Sequence, residues 1–159
     1  MDVRRAQESD TAAMAEVIAA VAPEGTLGVQ PPVDVAARAA GFRDLLDTDG
    51  AAAWVLVDDG RVVGHATVRT RVPGVLGLSM AIARAGRGRG GGRALVDTVL
   101  EHAGATGAHK VDLEVWPDNG RAIALYAGAG FVVEGLRDRH YRRADGTLRS
   151  SLIMARRTD

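Results

Sequence analysis

A run of arginines and glycines, Arg87-Gly88-Arg89-Gly90-Gly91-Gly92-Arg93, restricts the fold of this chain more than any other stretch. The segment before it, 76–83, is mostly apolar and uncharged, which is typical of a buried strand. After it, apolar residues recur at helical spacing: Leu95, Val96, Val99, Leu100 and Ala103. The order is therefore strand, glycine loop, helix. Unobstructed backbone amides and the positive end of the helix dipole predict a binding site for phosphate groups.

Two nucleotide-binding patterns fit this loop poorly. A Walker loop requires Lys followed by Ser or Thr after the glycines, and neither follows here. The dinucleotide fingerprint GxGxxG matches at Gly86, Gly88 and Gly91, with Asp112 at about the expected distance. However, that acidic residue should end the next strand, and Asp112 lies near the start of one.

A third pattern, Arg/Gln-x-x-Gly-x-Gly, is that of the pyrophosphate loop in acyl-CoA-dependent acetyltransferases. Arg87, Gly90 and Gly92 match it. A flexible turn decorated with arginines is the alternative interpretation of the loop alone. The choice between these interpretations therefore depends on the downstream half of the chain.

Composition narrows the function classes. The 159 residues carry zero formal net charge, so no general attraction to nucleic acid or membrane is expected. Without cysteine, the chain has no disulfide, thiolate metal site or cysteine nucleophile. No apolar run approaches the roughly 18 residues of a membrane span, and nothing resembles a signal peptide. We therefore expect one domain in the cytoplasm, without a metal.

Turn signals and periodicity predict a mixed sheet. Asp58-Asp59-Gly60 and Val72-Pro73-Gly74 indicate two hairpins, which follow a pair of lid-like helices. Beyond the central helix, the pattern predicts a strand over 110–116, a helix, and two short strands over 131–135 and 151–155. His65 lies on one of the hairpin strands, where a packed histidine is a more common role than a catalytic one.

The downstream half carries a second motif, Leu113-Glu114-Val115-x-x-x-Asn119-x-x-Ala122-Ile123-x-Leu125-Tyr126-x-x-x-Gly130-Phe131. Together with the glycine loop it resembles the GNAT superfamily of N-acetyltransferases, closely over about 76–135. Within the superfamily, this version is most similar to N-terminal alanine acetyltransferases and small amine or amino-acid acetyltransferases.

The resemblance implies an α/β fold over 1–159, a single acyl-CoA N-acyltransferase domain. Its mixed sheet would have six to seven strands, about four flanking helices and splayed central parallel strands. The implied activity is direct transfer of the acetyl group from acetyl-CoA, a cosubstrate, to a primary amine of a small molecule or a peptide N-terminus. A non-catalytic CoA-binding regulatory protein of the same fold is the alternative.

The sequence departs from the family pattern around the loop. Arg84 and Gly86 stand where the family often has a proline and an aromatic residue, and Gly91 replaces a usual aliphatic residue. An additional glycine costs a helix about 1 kcal/mol relative to alanine. We therefore expect a more mobile loop without ligand, with its phosphate-binding amides intact.

By resemblance, Glu114 is the general base and Tyr126 the acid that protonates the departing thiolate. The alternatives are a solvated or salt-bridged carboxylate for Glu114 and a packed aromatic for Tyr126. Asn119 resembles the family's CoA-binding asparagine, although a helix N-cap explains it equally well. The full set of predicted cofactor-binding residues is Met80, Ala81, Ile82, Arg87, Gly88, Arg89, Gly90, Gly91, Gly92, Arg93, Asn119, Ala122 and Tyr126.

The acceptor amine is not identified by any motif. Arginines between Arg137 and Arg149 suggest a preference for an acidic acceptor, and an exposed terminal strand would allow a homodimer. A nucleic-acid partner is not expected, because net charge is zero and aromatic residues for base stacking are scarce.

Overall fold

Seven strands and four α-helices form the chain, and the structure, a computed structural model, describes all 159 residues. In chain order the strands are β1 (Asp2–Arg5), β2 (Ala51–Asp58), β3 (Arg61–Val72), β4 (Val75–Ile82), β5 (Lys110–Val115), β6 (Val132–Arg142) and β7 (Leu148–Arg157). The helices are α1 (Thr11–Val21), α2 (Val35–Leu46), α3 (Gly91–Ala105) and α4 (Gly120–Gly128). Short 3₁₀ helices cover Glu8–Asp10, Ala22–Glu24 and Arg84–Gly86.

The strands pair into one mixed sheet in the order β1-β2-β3-β4-β5-β7-β6. All neighbouring strands are antiparallel except β4 and β5, which α3 connects as a crossover. The predicted mixed sheet of six to seven strands with about four helices is therefore confirmed.

Turn chemistry explains the first hairpin. Asp59 and Gly60 have φ angles of 47° and 75° between β2 and β3, and a two-residue hairpin loop of this kind requires positive φ at both positions. By contrast, β6 and β7 are longer than the sequence predicts. Most of β6 is exposed on both faces, so its outer half lacks the alternating apolar pattern by which strands are recognised.

Each face of the sheet has its own hydrophobic core. One core packs α3 against the sheet through Leu95, Val96, Val99 and Ala103, as the helical spacing predicts. The other packs α1 and α2 on the opposite face, around residues such as Met14 and Phe42. The predicted pair of early helices therefore covers one face of the sheet instead of standing apart from it.

The pairing of β4 with β5 is short. It covers Val75–Gly77 opposite Lys110–Asp112, and the strands then diverge. On their outer sides, β4 stays paired to β3 up to Ile82, and β5 stays paired to β7 up to Val115. The sheet therefore opens between its central parallel strands, as expected.

Apolar side chains remain exposed on β6, the edge strand of the sheet. Val132, Val133 and Leu136 are each more than half exposed. The homodimer remains a prediction, and β6 is the edge at which a second copy would pair. None of the helices combines the length and apolarity needed to span a bilayer.

Substitution of leucine by alanine should destabilise the protein at a core position but not at the edge of the sheet. Leu113 on β5 is 1% exposed, and Leu136 on β6 is 57% exposed. We expect Leu113→Ala to lower the free energy of unfolding by about 2–5 kcal/mol, because it leaves a cavity in the main core. The matched control Leu136→Ala should change it by less than about 0.5 kcal/mol. Urea denaturation followed by circular dichroism measures both, and equal losses would contradict this assignment of the core.

Candidate active site

A cleft of about 980 Å³ lies where β4 and β5 diverge. Side chains from the sheet, α2, α4 and the segment between α1 and α2 line it. Eight of the predicted site residues are among them: Met80, Ala81, Ile82, Arg87, Glu114, Asn119, Ala122 and Tyr126. Residues that lie more than 30 positions apart in the sequence therefore line the same cleft.

The remaining predicted residues, Gly88–Arg93, form the loop and first turn of α3 next to this cleft. A Cβ added at Gly92 would lie 3.1 Å from Leu125 and 3.2 Å from Ile82, both of which line the cleft. Gly88 and Gly90 have φ angles of 75° and 83°, a conformation that glycine adopts without strain.

The backbone amides of this loop are free. No amide from Gly88 to Arg93 donates a hydrogen bond within the protein, and the first to do so is that of Ala94, to the Gly90 carbonyl at 3.0 Å. Free amide donors at a helix N-terminus are the groups that bind anions in proteins. The helix has no side-chain N-cap that would compete for them.

The three loop arginines are already paired. Arg87 contacts Glu24 at 2.9 Å and donates to the Ile82 carbonyl. Arg89 contacts Asp58 at 2.6 Å, and Arg93 contacts Asp97 at 2.8 Å. The free amides, more than the guanidinium charges, are therefore the unsatisfied donors of this loop.

Packing explains the unusual Gly91. This residue begins α3 and is buried; a Cβ there would lie 2.5 Å from Leu56 Cδ2 and 2.8 Å from Met1 Sδ. The side chains of Leu56 on β2 and of Met1, which precedes β1, thus occupy the volume that an aliphatic residue would need. Gly91 allows the helix terminus to approach the sheet closely, which is a structural reason for this departure from the family pattern.

Glu114 lies on the wall of the cleft that β5 provides. Its carboxylate accepts hydrogen bonds from the Tyr141 hydroxyl at 2.6 Å and the Ser151 hydroxyl at 2.7 Å, and Arg137 lies 3.5 Å away. Burial alone would raise its pKa, but the two hydrogen bonds and the charges of Arg137 and Arg71 together lower it. The carboxylate is therefore ionised at neutral pH.

Tyr126 lies on α4, with its ring packed against Phe131 at a centroid distance of 5.7 Å. The residue is 7% exposed, yet it lines the cleft, and its hydroxyl makes no hydrogen bond within the protein. Burial raises the pKa of Tyr126, so the hydroxyl keeps its proton at neutral pH. The side chain is a proton donor without a partner.

Asn119 caps α4. Its side-chain oxygen accepts from the Ala122 amide at 3.2 Å, which is the N-cap arrangement anticipated from the sequence. Its position on the cleft wall leaves the amide nitrogen available to a ligand. Both anticipated roles are compatible in this geometry.

His65 is packed, as expected for a histidine within a strand. It is 2% exposed and contacts the Phe42 ring edge-on at 5.0 Å. Both of its ring nitrogens, however, lack a hydrogen-bond partner. Burial first, and then the charge of Arg38, lower its pKa to about 4, so the ring is neutral at pH 7.

The partners of Glu114 were not recognisable in the sequence. Tyr141 and Ser151 lie 27 and 37 residues downstream, and they reach Glu114 because β7 pairs with β5 on one side and with β6 on the other. No local motif marks them. The available signal is weak. Glu114 lies on a central strand, and the last two strands of the chain carry Tyr141 and Ser151.

The last hairpin is attached to the segment between α1 and α2. Arg143 donates to the Gly28 carbonyl and Arg149 to the Gly25 carbonyl, and both guanidinium groups also lie over the Trp116 ring. The Trp116 indole donates to the Leu27 carbonyl at 3.2 Å. These arginines therefore hold the cleft wall in place through backbone carbonyls, and Arg149 also pairs with Asp118 at 2.8 Å.

Comparison with known proteins agrees with this geometry. Residues 19–131 match the Acetyltransferase (GNAT) family. Over 91 residues, 53% of its length, the chain is 36% identical to a mycothiol acetyltransferase of Beutenbergia cavernae and covers 29% of that protein. The chain spans less than a third of the length of the curated relatives it matches.

Solved structures share the fold over nearly the whole chain. A ribosomal-protein-alanine N-acetyltransferase from Brucella melitensis is 26% identical, with a TM-score of 0.86 and 99% of each chain covered. A GNAT superfamily phosphinothricin acetyltransferase from Sinorhizobium meliloti, solved in complex with acetyl-CoA, is 21% identical with a TM-score of 0.86. It covers 98% of this chain and 87% of its own.

The contribution of Asn119 as a helix cap can be measured from protein stability, without a ligand. Asn119→Ala should lower the free energy of unfolding by about 1 kcal/mol, because the Ala122 amide loses its acceptor, whereas Asn119→Ser should retain most of the stability. Thermal or urea denaturation of the two variants beside the wild type makes the comparison. Equal stability of Asn119→Ala and the wild type would show that this cap contributes nothing.

Proposed function

Because the chain belongs to the Acetyltransferase (GNAT) family, we propose that it transfers the acetyl group of acetyl-CoA directly to a primary amine. In this proposal 1–159 act as one N-acyltransferase domain, and the acceptor is a small molecule or a peptide N-terminus. The observation that carries the proposal is that an ionised Glu114 and a protonated Tyr126 line the same cleft, next to the free amides of the glycine loop.

The residues present suit acetyl-CoA. The amides of Gly88–Arg93 would hold the pyrophosphate, and the opening between β4 and β5, with Met80, Ala81 and Ile82 on one side, would take the pantetheine arm. Ala122 is small where α4 borders the cleft, and the Asn119 amide is available there. When bound, the thioester supplies an activated acetyl group.

Glu114 is the proposed base. An α-amine has a pKa near 8 and a lysine amine one near 10.4, so the acceptor arrives mostly protonated at neutral pH. An ionised carboxylate attracts that ammonium group. It accepts one proton from that ammonium group, because only the neutral amine has the lone pair that attacks the thioester carbon. The nitrogen loses its second proton as the C–N bond forms and the C–S bond breaks, and this proton replaces the one that Tyr126 gives to the departing sulfur. The hydrogen bonds from Tyr141 and Ser151 keep the carboxylate fixed in one orientation.

Tyr126 is the proposed acid. Its hydroxyl is protonated and has no partner within the protein, so it is free to donate to the leaving sulfur. A thiol has a pKa near 8.5, so the departing thiolate is basic enough to take a proton from a donor at neutral pH. The contact with Phe131 holds the ring in place.

Calorimetric titration with acetyl-CoA, beside NAD and ATP, tests the cofactor directly. Thiol-release assays over panels of small amines and peptide N-termini then test transfer. Binding of acetyl-CoA alone followed by turnover supports the proposal. Binding without turnover over the whole panel favours the alternative, a non-catalytic CoA-binding regulatory protein. The relatives named above include enzymes of both acceptor kinds, so both panels are needed.

Removal of the Tyr126 hydroxyl should affect transfer but not binding. We expect Tyr126→Phe to lower kcat by about 10²-fold or more, because general acids contribute at least this much, with the Kd for acetyl-CoA unchanged. Thiol release gives kcat, and calorimetry gives Kd. An unchanged kcat would remove Tyr126 from the chemistry, and a weakened Kd would assign it a binding role instead.

The pH profile should report the environment of Glu114. In the wild type its lowered pKa keeps the carboxylate ionised across the neutral range, so the acidic limb of log kcat/KM reflects only the acceptor amine, with a slope of one. Tyr141→Phe removes a hydrogen bond that lowers this pKa. The pKa should therefore rise, and the slope should steepen toward two at a higher pH than in the wild type.

Two further variants control this experiment. Ser151→Ala removes the other hydroxyl on Glu114 and should act in the same direction as Tyr141→Phe. Ser150→Ala alters the adjacent residue, which contacts Asp138, and should leave the profile unchanged. A limb that stays in place in Tyr141→Phe and Ser151→Ala, or that moves to lower pH, would contradict the role of Glu114 as base.

A further inference from the structure

One wall of the cleft consists of hydrogen-bond donors that have no acceptor. His65, Thr67 and Arg69 follow each other at alternate positions of β3 and therefore share one face of the sheet, and Arg38 lies on α2 above it. All four line the cleft. We call these four residues the Arg38–Arg69 wall.

None of the four side chains is satisfied within the protein. Neither Arg38 nor Arg69 forms an ion pair, although nine such pairs occur elsewhere in the chain. Both ring nitrogens of His65 are buried without a partner. The Thr67 hydroxyl makes no hydrogen bond, although Thr67 is 7% exposed. Buried polar groups are normally paired, so the unpartnered His65 ring, in a cleft that the half-buried Arg38 and the exposed Arg69 also line, indicates a ligand.

The opposite strand leaves room for that ligand. In the register of β3 with β4, the partners of His65, Thr67 and Arg69 are Ala81, Ser79 and Gly77, all with small side chains. His65 and Thr67 are therefore not covered from β4, whereas the space over Gly77, opposite Arg69, is taken by the Arg71 side chain.

The charge of the wall is uncompensated. Two carboxylates line the cleft, and both are engaged elsewhere: Asp34 caps α2 through the Ala37 amide at 2.9 Å, and Glu114 is bound by Tyr141, Ser151 and Arg137. Arg71, the next cation along β3, is paired with Asp112 at 2.6 Å. The guanidinium groups of Arg38 and Arg69 are thus without a carboxylate partner, and the Glu114 carboxylate lies on a different wall of the cleft, the one that β5 provides.

We propose that the Arg38–Arg69 wall binds a carboxylate of the acceptor, so that the substrate class is a small amine bearing a carboxylate, such as an α-amino acid. This inference rests on the proposed function, since it assigns the acceptor of the same site. The amine of such a substrate is drawn to Glu114, and its carboxylate to the two guanidinium groups. Thr67 and the neutral imidazole of His65 complete the set of donors.

Matched acceptors test the proposal. Each α-amino acid is compared with its α-carboxamide, which keeps the amine and the side chain but removes the negative charge. Arg38→Ala and Arg69→Ala should each lower kcat/KM for the carboxylate acceptor by about tenfold or more, as expected for loss of a charge-assisted hydrogen bond, and leave the carboxamide unchanged. Ratios of variant to wild type cancel the different basicities of the two amines.

Two arginines serve as controls. Arg43 lies on α2 like Arg38, and Arg61 lies on β3 like Arg69; both are exposed and do not line the cleft. Arg43→Ala and Arg61→Ala should leave both acceptors unchanged. Equal losses for acid and amide in Arg38→Ala and Arg69→Ala, or a wild type that turns over only amides and peptide N-termini, would overturn the proposal while leaving acetyl transfer intact.

A binding measurement makes the outcome independent of turnover. In ¹⁵N-histidine-labelled protein with CoA present, the His65 ring signals, assigned with His65→Gln, should shift saturably with the carboxylate amino acid and not with its amide. The response should be lost in Arg69→Ala. A saturable response without turnover would contradict the proposed function but not the wall, whereas no response of His65 to any amino acid would overturn the wall.

Discussion

The cleft exists because the pairing between β4 and β5 is short. Three residue pairs join them, after which each strand remains bonded to its outer neighbour and turns away from the other. Beyond Gly77 the inner edges of both strands carry backbone groups without strand partners. Two separate cores pack against this sheet from its two faces. The opening is therefore a consequence of the strand pairing itself.

The glycine loop exploits the same opening. Because α3 begins at Gly91, against Leu56 and Met1, its N-terminus is held close to the sheet, and its unpaired amides lie next to the diverging strands. A larger residue at position 91 would require the helix terminus or the Leu56 and Met1 side chains to move. Close packing is therefore one consequence of the additional glycine, because Gly91 is buried at the beginning of the helix, and the greater mobility of the loop stays a prediction.

Local sequence carries much of this arrangement, but not its long-range partners. The loop, the apolar face of α3, the Asn119 cap and the positions of Glu114 and Tyr126 follow from spacing and from the family motif, because each depends on residues a few positions apart. Tyr141 and Ser151 could not be assigned, since their approach to Glu114 depends on the register of β6 and β7 with β5. The carboxylates paired with Arg87 and Arg89 were hidden for the same reason: they lie 63 and 31 residues away.

The stretch of sequence with the most arginines is not where unpaired positive charge lines the cleft. The last hairpin is the stretch richest in arginine, yet Arg137 faces Glu114, Arg149 contacts Asp118 and Arg143 donates to a backbone carbonyl. These arginines hold Glu114 and the segment between α1 and α2 in position. Arg38 and Arg69 are isolated in the sequence, but the fold gives them no carboxylate, and it sets them beside a buried imidazole with no partner of its own. An unpaired charge at a ligand-sized cleft indicates binding more strongly than a dense cluster of arginines that do not line that cleft.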